Sequence, residues 1–327
     1  MEQQNLSISS SKKFLARIVL PFVILVVAIA AILNYYFEKK IVLGSANAGV
    51  YKVNRIITET HLNEVGFFGS SRAEGTFLPD SLVKDGFNYG IFGSQDDVIC
   101  FFLKEECKKL GKTAPLIINF DLDGLDYSIG DQSNYIYNSG YQPVKSLLGS
   151  EYKNIFRIPF VKYSGYFEMY TKAYINDKLN LTRYTNKGAS VEKIETSAAY
   201  FEELITRQLK AERVFKNEPK LAAELEQIIK SNPQRKFIFV ITPYHESFFN
   251  GYSNIQDAEN YLASLKKNTN VAVLDFSRIN FPNEYFYDTR HLNLKGAFAF
   301  NRILKDSLSN YMDNEPKQLV PDSTTVN

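Results

Sequence analysis

The sequence has no tryptophan and little sulfur, with two cysteines and three methionines among 327 residues. Cys100 and Cys107 are seven positions apart in a segment with helical spacing. A helical rise of about 1.5 Å per residue separates them too far for a disulfide, so the sequence predicts free thiols. Neither CxxC nor Cys/His metal spacing occurs, and we expect no metal site and no bound cofactor.

An excess of charge of either sign is also missing. Lysine and arginine number 38 against 36 aspartates and glutamates, the formal net charge is +2, and no long basic run occurs. Binding to nucleic acid needs a concentrated positive surface, so we do not expect nucleic acid as a partner. A hydrophobic content of 45% and a charged content of 23% predict one large folded domain with small appendages.

One long segment near the N-terminus lacks charge altogether. Ile18 to Phe37 is a stretch of twenty uncharged residues, which matches the roughly 20 residues that cross a bilayer as a helix. The sequence therefore predicts a transmembrane helix over 18–37. A cleaved signal peptide is the competing interpretation, because Ala28-Ile29-Ala30 is a small-x-small pattern. The apolar run exceeds the usual 7–15 residues of such a peptide, which favours an uncleaved anchor.

The charges around this segment indicate its orientation. Lys12, Lys13 and Arg17 precede it, and the positive-inside rule then places residues 1–17 in the cytoplasm. We therefore predict a single-pass protein of the cytoplasmic (inner) membrane, with the bulk of the chain in the periplasm or outside the cell.

The rest of the chain alternates strands with helices. Apolar runs predict strands at 64–68, 87–92, 114–120, 236–242 and 271–275. Helical spacing covers 96–110, 257–267 and a long region over 198–231 that is interrupted near Asn217-Glu218-Pro219. This alternation predicts an α/β fold in three layers, a parallel sheet with helices on both faces. Ligands bind such folds beyond the carboxyl ends of the strands, where Ser71 and Thr242 to His245 lie.

The stretch from about 124 to 193 departs from this pattern and is rich in tyrosine. We interpret it as an insertion or lid over the sheet, since an aromatic wall suits sugar rings. For any single tyrosine, packing within a loop-rich subdomain is the better interpretation, and only the cluster favours sugar binding. The polar tail, 313–327, is predicted to be disordered, which leaves 41–312 as the folded domain.

Two short segments, far apart in the sequence, carry the groups of an activated hydroxyl nucleophile. Gly69-Ser70-Ser71-Arg72 follows an apolar strand, and Asp288-Thr289-Arg290-His291 lies near the C-terminus. A serine nucleophile needs a base that takes its proton and an acid that orients the base. Of the three histidines, only His291 has an aspartate in the right register; the others are His61 and His245.

These segments resemble the SGNH (GDSL-like) hydrolase superfamily when they are taken with Asn88-Tyr89-Gly90-Ile91-Phe92-Gly93 and with Gly296. The resemblance is to the membrane-anchored envelope branch, which includes the alginate O-acetylation proteins and the D-alanylation protein of lipoteichoic acid synthesis. Lys236 to His245 is similar to a segment common in that branch. The resemblance covers roughly Glu64 to Leu308 and implies a flavodoxin-like, SGNH-type domain.

The resemblance also implies roles for individual residues. Ser71 takes the position of the nucleophile, His291 that of the base, and Asp288 that of the orienting acid. The backbone N–H groups of Ser71 and Gly93 take the positions of oxyanion-hole donors, which must meet the charge that develops on the substrate. Three further residues are candidate substrate contacts: Ser70, Arg72 and His245.

The resemblance is incomplete at the oxyanion hole. The family's G-x-N-D segment has no match, because the chain reads Asp121-Leu122-Asp123-Gly124 after its third strand. A carboxylate near the position of that asparagine repels an oxyanion unless it is protonated or turned away. Ser70 also stands where the family more often has aspartate.

Each candidate residue has a purely structural interpretation as well. A Gly-Ser-Ser turn after a strand is common, so Ser71 could be an ordinary turn residue. Asp288 could cap the helix that is predicted to begin near Leu292. His291 could be a satisfied structural histidine, and His245 could stabilise the turn after Pro243.

The sequence leaves two functional hypotheses. The first is a membrane-anchored serine esterase or O-acyltransferase, with acetyl as the expected acyl group, acting on a cell-envelope or exported polysaccharide. Its expected partners are an envelope glycan and a membrane acyl-transport protein. Hydrolysis and transfer share one covalent intermediate, so the sequence does not separate them. The second is a non-catalytic accessory or glycan-binding subunit of a polysaccharide modification complex.

Overall fold

The computed structural model of the chain describes residues 13–94, 96–126, 167–210 and 212–312. Most of the predicted tyrosine-rich insertion and the whole of the predicted polar tail lie outside the described residues.

Five parallel strands form the central sheet in the order β2-β1-β3-β8-β9. Their bounds are Val65–Phe68 (β1), Gly86–Asn88 (β2), Leu116–Asn119 (β3), Phe237–Ile241 (β8) and Val271–Asp275 (β9). In β8, Ile238 and Val240 pack on one face while Phe237 and Phe239 pack on the other. Burial on both faces explains the uninterrupted apolar runs in the sequence. The predicted α/β class with a parallel sheet is confirmed.

Helices cover both faces of the sheet. One face carries α2 (Gly49–Thr58), α5 (Asp96–Cys107), α8 (Pro219–Ser231) and α9 (Ile255–Leu265). The opposite face carries α7 (Ala198–Leu209) and α10 (Leu294–Met312). Of the other described helices, α3 (Ser71–Thr76) and α4 (Pro79–Leu82) add Ala73 and Leu82 to the core on this second face, and α6 (Phe167–Leu179) adds Tyr170 to the core on the first. The predicted three layers are therefore present.

Within the described ranges, four short strands lie outside the central sheet. β4 (Gly124–Leu125) pairs in parallel with β7 (Lys216–Asn217), and β5 (Arg183–Asn186) forms an antiparallel hairpin with β6 (Ala189–Glu192). Short 3-10 turns follow β8 at Glu246–Phe249 and precede α10 at Asn283–Tyr285.

The N-terminal apolar segment is helical. A continuous helix, α1, extends over Leu15–Val42, and its side chains are almost all exposed. Among the described residues it is the helix that is long and apolar enough to cross a membrane. A signal sequence near the N-terminus passes the same test of length and composition. The helix is longer than the predicted 18–37 and ends in a π-helical turn, Phe37–Val42, whose last residue is buried in the core.

Two predicted elements have the wrong extent. The strand predicted over 87–92 ends at Asn88, because the next residues turn toward polar side chains: Lys52 Nζ donates to the Gly90 carbonyl, and the Phe92 N–H donates to Glu74. The helical region predicted over 198–231 is two separate helices. The second begins at Pro219, close to the predicted interruption, because proline is tolerated in the first turn of a helix.

Both cysteines are free, as predicted. Cys100 is buried in α5 and Cys107 ends the same helix. Burial raises the pKa of Cys107 to about 11, so this thiol is not activated.

Candidate active site

The turn after β1 places two serines at the beginning of α3. Ser70 is the N-cap residue, and its hydroxyl accepts a hydrogen bond from the backbone N–H of Arg72 at 3.3 Å. Ser71 is then the first residue of the helix. The first N–H groups of a helix have no partner within it, so the backbone N–H of Ser71 can serve a group outside the helix.

Three side chains from the two ends of the domain form a connected row. Ser71 Oγ lies 2.9 Å from His291 Nε2, and His291 Nδ1 lies 2.9 Å from Asp288 Oδ2 and 3.0 Å from Oδ1. Ser71 and His291 are 220 residues apart in the sequence, and the fold brings them together at the carboxyl edge of the sheet. The order hydroxyl, imidazole, carboxylate is the order that general-base activation of a serine requires.

Asp288 is held as an ionised carboxylate. Burial alone would raise its pKa, but the hydrogen bond from His291, the charge of His291 and two backbone N–H groups outweigh burial and lower the pKa. Those N–H groups belong to Arg290 and His291, each 2.8 Å from Oδ1. Because the folded pKa lies below the unfolded value of about 3.9, ionised Asp288 stabilises the fold above that pH. This contribution is lost as the pH falls through the folded pKa.

The alternative that Asp288 caps α10 is wrong. The helix begins at Leu294, and Asn293 caps it: the Asn293 side chain accepts the Gly296 N–H at 3.1 Å, and its carbonyl accepts the Ala297 N–H at 2.8 Å. Asp288 closes the tight turn that carries His291 instead. Its hydrogen bonds therefore fix the position of the imidazole.

Gly93 lies in the loop after β2, with a φ of 73° that favours glycine, and it lines the same cleft as Ser71. Glu74 holds this loop, because its Oε2 accepts the Phe92 N–H at 2.9 Å. Its other carboxylate oxygen, Oε1, pairs with Lys52 Nζ at 3.1 Å, and Lys52 also donates to the Gly90 carbonyl. Lys52 is 0% exposed. Burial lowers the pKa of Lys52, and the Glu74 carboxylate opposes that shift.

Arg72 is buried and lies at the floor of the site. Its guanidinium donates to the Thr242 carbonyl at 2.7 Å and to the Pro243 carbonyl at 3.0 Å, and it stacks 3.2 Å above the Tyr244 ring. It therefore connects α3 to the end of β8. Among the described residues its Nη1 has no hydrogen-bond partner, and Arg72 is among the residues that line the cleft, so its role as a substrate contact stays a prediction beside this structural one.

The Asp121 carboxylate lies in the cleft, where the sequence placed it, and both of its oxygens are engaged. Oδ2 accepts the Ser70 hydroxyl, while Oδ1 accepts the Asn119 amide at 2.8 Å and lies 3.3 Å from Arg72 Nε. Asn119 is bonded in turn to Thr242 at 2.8 Å. The carboxylate is thus turned toward donors and one positive charge. Ser70 is occupied by the same contact.

His245 does not reach the cleft. It is buried, its Nδ1 lies 2.8 Å from Ser247 Oγ, and its Nε2 lies 3.0 Å from Asn283 Oδ1. It also caps the 3-10 turn that follows β8. The expected substrate contact at His245 is therefore wrong, and the turn-stabilising interpretation accounts for both ring nitrogens.

A cleft of about 610 Å³ opens over Ser71 and His291. Arg290 and Asp123 form an ion pair at 2.7 Å on its wall. Arg213 also lines the cleft, with its guanidinium 4.3 Å above the Phe248 ring. Burial and the nearby charge of Arg290 lower the pKa of Arg213. Other lining residues include Phe92, Ser94, Asp126, Glu212 and Lys216.

Sequence reasoning missed Lys52, Glu74 and Arg213. Lys52 and Arg213 lie in segments with no recognisable motif, and their roles follow from contacts with residues distant in the sequence. Glu74 stands three residues after Ser71, a spacing that offered a weak signal. Within the described ranges, no group of three His, Cys, Asp or Glu side chains is placed to hold a metal ion.

Comparison with known proteins adds little to this geometry. No family model matches the chain, and no curated protein matches it. Among solved structures, one provisionally described as a platelet activating factor from Streptococcus pneumonia is similar at 15% identity. The match covers 87% of this chain and 99% of the other, with a TM-score of 0.36. A likeness at that score carries no argument about function.

The Lys52 and Glu74 pair generates a stability prediction. We expect Lys52→Met to lower the free energy of unfolding by about 3–5 kcal/mol, because it leaves a buried carboxylate without its countercharge. The matched control is Lys104→Met, which removes an exposed lysine paired with Glu224 at 2.7 Å and should cost about 0–1 kcal/mol. Thermal unfolding of the full chain in detergent measures both. Equal losses for the two variants would contradict the role of the buried pair.

Proposed function

We propose that the protein is a serine esterase or O-acyltransferase in which Ser71 is the nucleophile, His291 the base and Asp288 the orienting acid. The observation that carries the proposal is the continuous hydrogen-bonded row from Ser71 Oγ through His291 to the ionised Asp288. A serine that only caps a helix, or a histidine with a structural role, does not require this hydrogen-bonded row. The row also lies at the floor of an open cleft.

The first half of the reaction follows from this row. His291 Nε2 takes the proton of Ser71 Oγ as the oxygen attacks the carbonyl carbon of an acyl ester. Asp288 stabilises the imidazolium that forms and holds the tautomer in which Nδ1 carries a proton. The alkoxide of the ester then leaves with the proton from Nε2. The acyl group remains on Ser71.

The second half returns the enzyme to its starting state. Water or an acceptor hydroxyl attacks the acyl-serine, and His291 takes its proton and returns it to Ser71 Oγ. Water gives hydrolysis and a glycan hydroxyl gives transfer, through the same intermediate. The backbone N–H groups of Ser71 and Gly93 are the proposed donors to the oxyanion in both halves.

The Asp121 carboxylate is compatible with this chemistry because Ser70, Asn119 and Arg72 already satisfy it. A carboxylate turned toward a guanidinium and two donors presents less charge to the developing oxyanion. Its presence in the cleft is nonetheless the observation that favours the second candidate, a non-catalytic accessory or glycan-binding subunit. Reaction at Ser71 separates the two candidates.

We further propose an acyl ester of an envelope glycan as the substrate, with a membrane acyl-transport protein as the source of the acyl group in the case of transfer. The support is the resemblance of the sequence to the envelope branch of SGNH hydrolases. The proposed location is the cytoplasmic (inner) membrane, with α1 as an uncleaved anchor and the domain in the periplasm or outside the cell. Most of the residues that line the cleft carry charged or hydroxyl side chains, which can hydrogen-bond to a hydroxyl-rich substrate.

Removal of the proposed nucleophile should abolish activity. We expect Ser71→Ala to reduce the hydrolysis of p-nitrophenyl acetate at least about a thousand-fold, and to prevent labelling by a fluorophosphonate. Ser70→Ala, the neighbouring control, removes a cap and one hydrogen bond to Asp121 and should retain labelling. Equal rates for Ser71→Ala and the parent would refute the nucleophile. Absence of labelling in the folded parent would favour the accessory subunit.

Asp288 and His291 should behave as one unit. We expect Asp288→Asn to keep the fold and to lower the esterase rate about a thousand-fold or more, because the tautomer and the imidazolium are no longer stabilised. Combining it with His291→Ala should lose little more than His291→Ala alone. Esterase rates and melting temperatures of the two single variants and the double variant test this. Additive losses in rate would count against the coupling.

The anchor has its own test. With α1 embedded and uncleaved, the mature protein should resist carbonate extraction and keep its N-terminus. N-terminal sequencing of the membrane fraction reads this directly. A mature chain that starts just after Ala30 would show a signal peptide instead.

A further inference from the structure

Two stacked aromatic rings connect three arginines of the candidate active-site cleft. The rings of Tyr244 and Phe248 stack at 4.0 Å between centroids. Arg72 Cζ lies 3.2 Å from the centroid of the Tyr244 ring. On the Phe248 ring, the distances from the centroid are 4.3 Å to Arg213 Cζ and 5.5 Å to Arg290 Cζ. All three arginines line the cleft, so three positive charges lie around one pair of rings.

Two of these three charges have a carboxylate partner. Arg72 Nε lies 3.3 Å from Asp121 Oδ1, and Arg290 pairs with Asp123 at 2.7 Å. Arg213 differs from both: within the described ranges it forms no ion pair, and its Nε and Nη1 have no hydrogen-bond partner. The positive charge of Arg213 is therefore the one that the neighbouring side chains leave without a partner.

The position of Arg213 makes this lack of a partner costly. The residue is only 8% exposed, and a buried charge is stable in a protein when it is paired. Burial and the charge of Arg290 lower the pKa of Arg213, and the charge of Asp123 opposes that shift. A contact with an aromatic ring offsets only part of the cost of burial. The adjacent Glu212 is exposed and keeps its charge in water.

We propose that Arg213 binds an anionic group of the substrate, a carboxylate or a phosphate, in the cleft that contains Ser71 and His291. This anion subsite deepens the proposed function and rests on it for the bound molecule being an ester. Arginine suits the task because its planar guanidinium presents several N–H donors to either group and is weakly hydrated. Arg290 adds positive charge at the same ring. The substrate is then an ester of an acidic glycan and not of a neutral one.

The binding of three sugars that share one ring tests the anion subsite without any turnover. The full chain in a non-ionic detergent is titrated with galactose, galacturonate and galactose 6-phosphate, and each Kd is measured by ligand-observed NMR. Arg213→Gln removes the charge and Arg213→Lys keeps it. Arg278→Gln is the matched control: Arg278 is exposed and lies 4.2 Å from the centroid of the Phe249 ring, in the same 3-10 turn as Phe248, but it is outside the cleft lining.

We expect one or both anionic sugars to bind at least about ten-fold more tightly than galactose, because hydrogen bonds to a charged group are among the strong ones. Arg213→Gln should remove this preference, whereas Arg213→Lys and Arg278→Gln should keep it. The anion that binds more tightly identifies the group as carboxylate or phosphate. Equal Kd values for the three sugars in the parent overturn the anion subsite, whether or not the variants fold. A preference that survives in Arg213→Gln with a parent-like melting temperature overturns it as well.

Fluorophosphonate labelling of the same samples reports on Ser71 separately. Labelling of the parent without any preference for the anionic sugars overturns the anion subsite and leaves the proposed chemistry intact. A preference that depends on Arg213, without labelling, supports binding of the anion at Arg213 and counts against Ser71 as a nucleophile.

Discussion

The site depends on the buried ion pair between Lys52 and Glu74. Helix α3, which carries Ser71, has only six residues, whereas isolated helices below about 12–15 residues are marginal in water. Contacts from outside must therefore hold it. Glu74 makes two of these contacts with one side chain. One carboxylate oxygen pairs with Lys52 of α2, and the other accepts a hydrogen bond from the Phe92 N–H. The Glu74 side chain thus fixes α3, which carries Ser71, relative to the loop that carries Gly93.

A second set of contacts joins three strand ends. Ser70 follows β1, Asp121 follows β3 and Thr242 follows β8, and hydrogen bonds through Asn119 and Arg72 connect all three. The carboxyl ends of parallel strands lie at one edge of the sheet. Beyond that edge the backbone hydrogen bonds between strands stop, so side chains have to hold the loops in place. Arg72 is suited to this task, since its planar guanidinium reaches several acceptors at once. Ser70, Arg72 and Asp121 also line the cleft, so these contacts fix the floor of the cleft as well as the strand ends.

The sequence predicted the sheet best where burial alone decides structure. The runs at β3 and β8 are apolar because both faces are covered, and a run of this kind can be recognised without knowing which residues pack on it. The predicted second strand was too long at its end, because the sequence stays apolar from Tyr89 to Phe92. The backbone of these residues instead hydrogen-bonds to the side chains of Lys52 and Glu74. The strand end is set by side chains that no local pattern identifies.

The candidate site divides in the same way. Ser71, Asp288 and His291 were predicted from two short motifs, and the structure brings them into contact. Their roles remain predictions. His245 was misread because its position after a strand is compatible with either a ligand contact or a cap, and only the partners Ser247 and Asn283 decide. The roles of Arg213 and Lys52 could not be predicted from the sequence. A buried basic residue outside any motif has the same kind of local sequence as an exposed one.

The junction between α1 and α2 has a kinetic consequence. Only six residues, 43–48, separate Val42 from Gly49, and Ser45 and Ala48 are buried in the domain. A flexible tether lets a catalyst sweep a wide volume, and its effective concentration falls as the tether lengthens. If α1 spans a bilayer, as proposed, the packed junction confines the cleft to a thin layer beside that bilayer. With α1 embedded, turnover would then depend on the surface density of substrate in that layer rather than on its bulk concentration.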